Sequence, residues 1–247
     1  MTPRTFNTYA LILSSRPLGE ADRLITFLSW DKGKFTAAAK GARKTMSKLA
    51  AGVDLFTYGH YQFYQGRNLP TLTGQEVRIH FQYFRENPAL YPYGLYLAEL
   101  AGRMIDGEEP SAAACALLLE GWRLLGEEAD PLFLCRAYEL KLLDLTGHCP
   151  YLSGCLHCGS ASCRRFSPRQ GGLICPDCAE SADGFKLQPG TTALARRLLQ
   201  TPLGLVKRIR PLVSQREELA QMTAAFMRYQ LNIKDSPALR LLELFES

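Results

Sequence analysis

The stretch Arg23-Leu-Ile-Thr-Phe-Leu-Ser29-Trp-Asp-Lys-Gly33-Lys-Phe-Thr-Ala-Ala38 decides the fold of the N-terminal part of the chain. It predicts two strands joined by a hairpin turn at residues 30–33. Before it, Tyr9-Ala-Leu-Ile-Leu13 predicts another strand, which the turn residues Arg16-Pro-Leu-Gly19 should end. After it, Leu55–Tyr64 and Leu69–Val77 predict a fourth and a fifth strand.

These five strands occupy about 75 residues, with a short helix expected near Ser47–Ala51 between the third and the fourth. That number, size and order match an OB-fold β-barrel, a small five-stranded barrel that often binds nucleic acids. An SH3-like barrel or a plain meander would leave a similar pattern. The spacing of the strands therefore favours an OB fold without excluding the other two.

From Pro88 onward the apolar period becomes helical. Ser111 should cap one of these helices, Asp130-Pro131 should open another that stops before Gly147, and Ser214-Gln-Arg-Glu217 reads as a capping box. The predicted helices are Leu90–Asp106, Ala112–Leu125, one after Asp130-Pro131, Thr191–Gln200, Gln215–Leu231 and one from Ser236-Pro237 to Phe245.

Two cysteine pairs interrupt the helices: Cys155-Leu-His-Cys158 and Cys175-Pro-Asp-Cys178, with sixteen residues between them. This C-x₂-C … C-x₂-C spacing is typical of a zinc ribbon, in which four thiolates surround the metal and leave no open position. Few apolar side chains lie between Cys149 and Lys186, so a structural metal would supply the stability that a small core cannot. We therefore expect one structural Zn²⁺ per chain.

Other arrangements of the thiols stay open. The four cysteines could form a redox dithiol or two disulfides, and Cys149, Cys163 or His157 could replace one of the four ligands. Cys115 and Cys135 lie on predicted helices among Ala and Leu, where a thiol usually serves as a small buried apolar group.

The sequence thus predicts an α+β multidomain protein with an N-terminal OB-fold β-barrel and an α-helical domain that carries an embedded four-cysteine, zinc-ribbon-like module. The predicted ranges are 1–80 for the nucleic-acid-binding barrel, 81–147 and 186–247 for the two parts of the helical domain, and 148–185 for the zinc-binding module. No apolar run approaches the roughly 20 residues needed to span a bilayer, and no signal-peptide pattern appears. Unpaired thiols and a thiolate metal site fit a reducing compartment, so the protein is expected to be cytoplasmic.

Charge is distributed unevenly along the 247 residues. Residues 1–83 contain 11 Lys and Arg against 5 Asp and Glu, residues 84–148 contain 5 against 11, and residues 149–247 contain 13 against 8. The densest basic run includes Lys32, Lys34, Lys40, Arg43, Lys44 and Lys48. Such a run is either a solvated surface or a site that binds polyanions through salt-sensitive phosphate contacts.

Aromatic residues of the predicted barrel have two interpretations. They either fill its interior or stack on nucleic-acid bases. The candidates are Tyr9, Trp30, Phe35, Tyr58, Tyr61 and Tyr64. Further cations at Arg196 and Arg197 could extend the basic surface, or could simply flank the polar face of a helix. The sequence contains none of the motifs of a nucleotide-binding glycine loop, a serine-hydrolase elbow or a zinc deaminase. We therefore expect that the protein is not an enzyme.

Several of these segments resemble the bacterial recombination mediator family RecO. The similarity lies in Leu18-Gly-Glu-Ala-Asp-Arg-Leu-Ile-Thr-Phe-Leu-Ser29, in Gly33-Lys-Phe, in Ala39-Lys-Gly-Ala-Arg-Lys44 with Ser47-Lys48, and in the domain order. It covers essentially the whole chain. The basic barrel positions of the family fall on Lys34, Lys40, Arg43, Lys44 and Lys48. Not every member keeps the four cysteines, but this chain does.

The resemblance implies a nucleoid-associated DNA repair and recombination mediator that binds single- and double-stranded DNA and anneals complementary strands. It also implies action with RecR, which helps to place the RecA recombinase on strands coated with single-stranded-DNA-binding protein. A groove that combines apolar residues with a cation would be needed for the tail of that coating protein. Two other hypotheses are a zinc-stabilised adaptor that acts mainly through protein contacts, and a zinc-ribbon RNA-processing enzyme.

Overall fold

The computed structural model describes residues 4–47, 49–107, 109–127, 130–179 and 184–231. The chain divides into two compact units, Met1–Glu127 and Glu128–Ser247. The division falls inside the range 81–147, so the helices predicted there belong to different units. Within the described ranges, none of the helices combines the length and the apolar character that crossing a bilayer requires.

Five strands form the core of the N-terminal unit. They are β1 (Thr5–Leu18), β2 (Asp22–Ser29), β3 (Gly33–Ala39), β4 (Thr57–Tyr64) and β5 (Thr71–His80). They close into a barrel in the order β1-β2-β3-β5-β4, in which β3 and β5 pair in parallel and the other pairs are antiparallel. The parallel pair excludes a plain meander, and the closed five-stranded barrel confirms the predicted OB fold.

Strand β1 is longer than predicted. Its first part, Thr5–Leu11, pairs with β4, and its second part continues to Leu18 alongside β2. A register shift between Ile12 and Ser14 bends the strand between its two partners. The turn predicted to begin at Arg16 therefore starts only after Leu18, at Gly19, whose φ of 63° is the left-handed conformation that glycine favours.

Side chains that point inward from alternate strand positions fill the barrel. Phe27, Tyr61 and Phe63 are fully buried there and contact one another edge to face or tilted. The predicted short helix is a 3₁₀ turn at Ala50–Gly52, slightly later than expected. It closes part of the barrel, because the buried hydroxyl of Tyr61 donates a hydrogen bond of 3.2 Å to the carbonyl of Gly52.

Three helices complete the N-terminal unit: α1 (Tyr83–Glu86), α2 (Tyr91–Met104) and α3 (Ala112–Leu125). Both α2 and α3 pack on the outer face of β1. Trp122 of α3 is fully buried, and its indole N–H donates to the carbonyl of Gly94 in α2 at 3.0 Å. Ser111 does precede α3, but its hydroxyl donates to the carbonyl of Glu109 and makes no cap, contrary to the prediction.

The C-terminal unit contains α4 (Pro131–Leu145), α5 (Pro189–Gln200) and α6 (Val213–Gln230), with a 3₁₀ helix at Leu203–Arg208. Helix α4 contacts all three of the others and has buried residues around its whole circumference. The predicted cap of α4 is confirmed, because the carboxylate of Asp130 accepts a hydrogen bond of 3.0 Å from the amide of Phe133.

The predicted start of α6 is wrong by two residues. The helix begins at Val213, and the side chain of Gln215 accepts from the amide of Leu212 at 2.9 Å, so Ser214 is not the cap. The helix predicted from Ser236-Pro237 lies outside the described residues.

A small three-stranded sheet carries the cysteine module within the C-terminal unit. Its strands β6 (Arg165–Ser167), β7 (Gly172–Ile174) and β8 (Phe185–Lys186) lie in the order β7-β6-β8. Phe166 is fully buried and faces Phe226 of α6, with 6.2 Å between ring centroids. The side-chain Nε2 of Gln230 also donates to the carbonyl of Pro168 at 2.9 Å, so α6 holds the sheet in place.

Candidate metal centre and nucleic-acid interface

The sulfurs of Cys155, Cys158, Cys175 and Cys178 all lie within 4.8 Å of one another. The Cys158 and Cys175 sulfurs are 3.6 Å apart. Four sulfurs at the corners of a tetrahedron around zinc, each about 2.3 Å from the metal, would be about 3.8 Å apart. A disulfide needs about 2.05 Å, so this distance fits shared coordination of a cation and not a covalent bond. The four side chains can therefore hold a metal ion.

Each cysteine pair sits on a tight turn that the β6–β7 hairpin brings together. In the first turn, the amide of Gly159 donates to the carbonyl of Cys155 at 2.9 Å, and the φ of Gly159 is 74°. In the second turn, the amide of Cys178 donates to the carbonyl of Cys175 at 3.2 Å. Gly172 starts β7 and approaches Tyr151 so closely that a Cβ would lie 2.6 Å from the Tyr151 carbonyl oxygen.

Backbone amides favour the thiolate form of Cys155. The N–H groups of Cys175 and then Cys158 lower the pKa of the Cys155 thiol to about 5. Hydrogen bonds with the neighbouring sulfurs of Cys175 and Cys158 raise the pKa of Cys178 to about 12. Metal coordination requires deprotonated sulfur, so binding a dication here would release protons.

Of the three alternative ligands, His157 and Cys149 have partners outside the group, whereas Cys163 lies beside it, close to the sulfur of Cys155. The sulfur of Cys163 donates to the carbonyl of Ser160 at 3.1 Å. His157 places its Nε2 2.7 Å from the side-chain oxygen of Gln170. The thiol of Cys149 is hydrogen-bonded to Asp144, and burial raises its pKa to about 11. Among the described residues, the mutually close group consists of the four cysteines predicted from spacing.

Residues 40–47 form the basic loop, which joins β3 to the 3₁₀ turn and carries Lys40, Arg43 and Lys44 on its exposed surface. The loop is tied to the β1–β2 turn, because the amide of Gly41 donates to the Asp22 carboxylate at 2.7 Å and one guanidinium nitrogen of Arg43 donates to a backbone carbonyl at 2.8 Å. The amides of residues 41–44 all donate within the protein. The cations of the loop can therefore contact phosphates, but these backbone amides are already used and cannot donate to a phosphate. Lys48 lies outside the described residues.

The other predicted cations differ in how free they are. The ammonium of Lys34 donates to the carbonyl of Gly102 at 2.7 Å and lies 3.3 Å from the carboxylate of Asp106, so it is engaged at the end of α2. Arg196 donates from its Nε to the carbonyl of Leu152 at 2.7 Å, which ties α5 to the cysteine module. Arg197 is exposed on α5. The structure thus places Lys40, Arg43 and Lys44 on one exposed loop, and it engages Lys34 and Arg196, like one nitrogen of Arg43, in hydrogen bonds within the protein.

The aromatic candidates divide between the interior and the surface of the barrel. Tyr61 is fully buried, and Phe35 packs against the same core. Tyr9, Trp30 and Tyr58 instead line a cleft on the outer face, together with His60, which the sequence reasoning missed. The signal was present: positions 58, 60, 62 and 64 alternate with the buried positions 57, 59, 61 and 63 along β4.

A second cleft lies entirely within the C-terminal unit and was also missed. Its volume is about 500 Å³. Buried apolar side chains form its floor, and three cations and one carboxylate surround them. We call it the α4 groove; its apolar residues are Phe133, Leu134, Val206 and Ile209, and its charged residues are Lys207, Arg210, Arg216 and Asp130. The Arg216 guanidinium pairs with Asp130, while Lys207 is exposed.

Comparison with known proteins gives a consistent assignment. Residues 1–80 match the family model described as the N terminal of recombination protein O, and residues 85–237 match the model of its C terminal. A protein of Roseiflexus named DNA repair protein RecO is 35% identical, in an alignment that covers 98% of this chain and 87% of the relative.

Two further proteins of the same name are similar over a smaller share. That of Heliobacterium modesticaldum is 38% identical, covering 80% of this chain and 74% of the relative. That of Symbiobacterium thermophilum is 34% identical, covering 78% and 79%. The first model covers the five strands of the barrel, and the second covers helices α2 to α6 together with the cysteine module. The chain belongs to the RecO family of DNA repair proteins.

Proposed function

We propose that this protein is a non-catalytic recombination mediator, which binds single- and double-stranded DNA and anneals complementary strands. The observation that carries the proposal is the basic loop, where Lys40, Arg43 and Lys44 are exposed close together on an OB-fold barrel. Membership of the RecO family makes DNA the expected polyanion. Each cation that neutralises a phosphate releases a condensed counterion, so binding should be strong at low salt and blind to sequence.

Annealing follows from the same charges. Two complementary strands repel each other through their phosphates, and cations on one surface reduce this repulsion while both strands are held nearby. The reaction needs no bond to be broken and no nucleotide cofactor. By its family, the protein would act with RecR and help to place RecA on strands coated with single-stranded-DNA-binding protein.

The four-cysteine site is proposed to hold one structural Zn²⁺. Four protein thiolates would leave no open coordination position, so the ion would stabilise the module and would not take part in chemistry. The sheet of β6, β7 and β8 has only eight residues in its strands, and a core of that size is too small to fold alone.

The α4 groove is proposed to receive the acidic and apolar tail of the single-stranded-DNA-binding protein. The groove combines the two features that such a tail needs, a buried apolar floor and cations at its edge. Lys207 and Arg210 are exposed there, although one nitrogen of Arg210 donates to the carbonyls of Lys207 and Ile209, while Arg216 is paired with Asp130. An apolar terminal residue would contact Phe133 and Ile209, and the acidic residues before it would lie near the two exposed cations.

A synthetic acidic peptide that ends in an apolar residue tests this assignment. Fluorescence anisotropy should show binding to wild type and about a tenfold or greater loss in the double variant Lys207→Ala and Arg210→Ala. Arg228→Ala is a matched control, since Arg228 is an exposed cation on α6 that does not line the groove. Equal losses in the control and in the double variant would contradict the assignment.

A zinc-stabilised adaptor, which acts mainly through protein contacts, is the alternative function. The two functions differ in whether the purified protein binds a bare oligonucleotide at moderate salt with no partner present. We expect binding to a labelled single strand that weakens steeply as salt is added. A protein that binds its protein partners but not the bare strand would be an adaptor, and the mediator proposal would fail.

A further inference from the structure

An aromatic cleft lies on the outer face of the barrel. Tyr9 of β1, Trp30 of the β2–β3 turn, and Tyr58 and His60 of β4 line it, and its volume is about 340 Å³. Ring centroids are 4.9 Å apart for Tyr9 and His60, 5.2 Å for Trp30 and Tyr58, and 6.1 Å for Tyr9 and Tyr58. The four rings therefore form one continuous surface and not isolated exposed side chains.

Strand register places Tyr9, Tyr58 and His60 outside the barrel, and the helices leave Tyr9 exposed. Tyr9 pairs with His60, and Leu11 pairs with Tyr58, on the outward face of β1 and β4. Leu11 is fully buried, since α2 and α3 pack on β1, whereas Tyr9 two residues earlier is 42% exposed. The helices thus cover the sheet as far as Leu11 but not as far as Tyr9, and the other three rings of the cleft are half-buried.

The polar groups of the cleft favour a base over a phosphate. Asp31 lines it beside Trp30, and the Asp31 Oδ1 atom accepts hydrogen bonds from the hydroxyls of Thr8 and, at 2.9 Å, of Ser29. A fixed carboxylate repels phosphate but can accept a hydrogen bond from an N–H group of a base, such as the N3–H of thymine. The cation that follows, Lys32, is exposed and could contact the backbone phosphate next to a bound base.

We propose that this cleft binds one unstacked base of single-stranded DNA. The inference rests on the proposed function and adds to it a site that distinguishes single from double strands. Bases inside a duplex are already stacked and cannot enter the cleft, whereas each base of a single strand has a free face. The basic loop would attract either form of DNA through phosphates, and the cleft would add affinity for the single-stranded form alone.

Tryptophan fluorescence tests the proposal directly, because the chain has two tryptophans in different surroundings. Trp122 is fully buried inside the N-terminal unit, and Trp30 is half-buried in the cleft. Titration with oligothymidylate should quench the emission of wild type, since a stacked base quenches indole. The variant Trp30→Phe should lose this quench, which would assign the signal to the cleft.

Affinities for the two forms of DNA give a second readout. Trp30→Ala should weaken single-strand binding by about 5- to 150-fold, the range for loss of one stacked base. The ratio of single- to double-strand affinity should fall by the same factor, with the salt slope unchanged. Tyr229→Ala is the matched control, because Tyr229 is a 64% exposed tyrosine on α6, outside the cleft. The ratio of single- to double-strand affinity of this control variant should equal that of wild type.

The outcomes separate the cleft from the basic loop. If wild type binds single strands without a quench, or if Trp30→Ala weakens both forms of DNA equally, the cleft does not bind a base. The wild-type quench needs no variant, so it decides the matter even where Trp30→Ala fails to fold. If wild type binds no DNA at all, the proposed function itself fails, together with the cleft.

Discussion

Replacing the three cations of the basic loop by alanine is the most informative perturbation. Lys40, Arg43 and Lys44 are exposed, and the loop that carries them is held by hydrogen bonds at Gly41 and Arg43. If each cation neutralises one phosphate, the triple variant should flatten the slope of log affinity against log salt on single strands by about 0.7 per contact, or about 2 altogether. Between 50 and 200 mM salt, wild type should then lose about 20-fold more affinity than the variant.

Fluorescence anisotropy with a labelled oligothymidylate, repeated at several salt concentrations, measures this slope. A control triple variant, Arg67→Ala, Arg123→Ala and Arg228→Ala, removes the same three charges from exposed positions outside the loop. Net charge falls from +5 to +2 in both variants, since each loses three cations. The loop is refuted as the binding site if its variant keeps the wild-type slope, or if the control flattens the slope equally.

Three other changes have separate expected outcomes. Lys34→Ala should lower the free energy of unfolding in urea by about 1 kcal/mol, because the Lys34–Gly102 hydrogen bond is lost, and should leave the salt slope near that of wild type. Cys158→Ser should abolish metal binding, whereas Cys163→Ser should retain one zinc per chain, as measured by elemental analysis. Wild-type protein that contains no metal would contradict the proposed zinc site. Burial, and then Arg85, lower the pKa of His80 below 6.5, so the folded state resists protonation. Neutral His80 should therefore contribute fully to stability above pH 6.5, and this contribution should be lost as the pH falls through the folded pKa. Thermal melts of the His80→Gln variant should lack that part of the pH dependence.

Most elements could be predicted because their signals are local. Alternating side chains mark β4, and Asp130-Pro131 marks the start of α4. The length of β1 could not be predicted, since Arg16-Pro17 has turn chemistry but pairs with β2 in the folded protein. Ser111 fails as a cap for a local reason that its residue type does not reveal, because its hydroxyl donates to the carbonyl of Glu109, two residues earlier.

The sites show the same division between local and tertiary information. The four cysteines could be predicted because two short turns determine where each pair of sulfurs lies. Which cations stay free depends on tertiary packing: Lys34 and Lys40 look alike in sequence, yet only Lys34 meets the end of α2. Likewise, Tyr58 and Tyr61 are separated only by strand register, which turns one outward and the other into the core.

Strand annealing tests the central claim most directly. Two complementary oligonucleotides, one with a fluorophore and one with a quencher, are mixed with the purified protein and no nucleotide cofactor. We expect wild type to speed pairing well above the spontaneous rate, and the triple variant of Lys40, Arg43 and Lys44 to lose most of that acceleration. A pairing rate that wild type does not change would contradict the account.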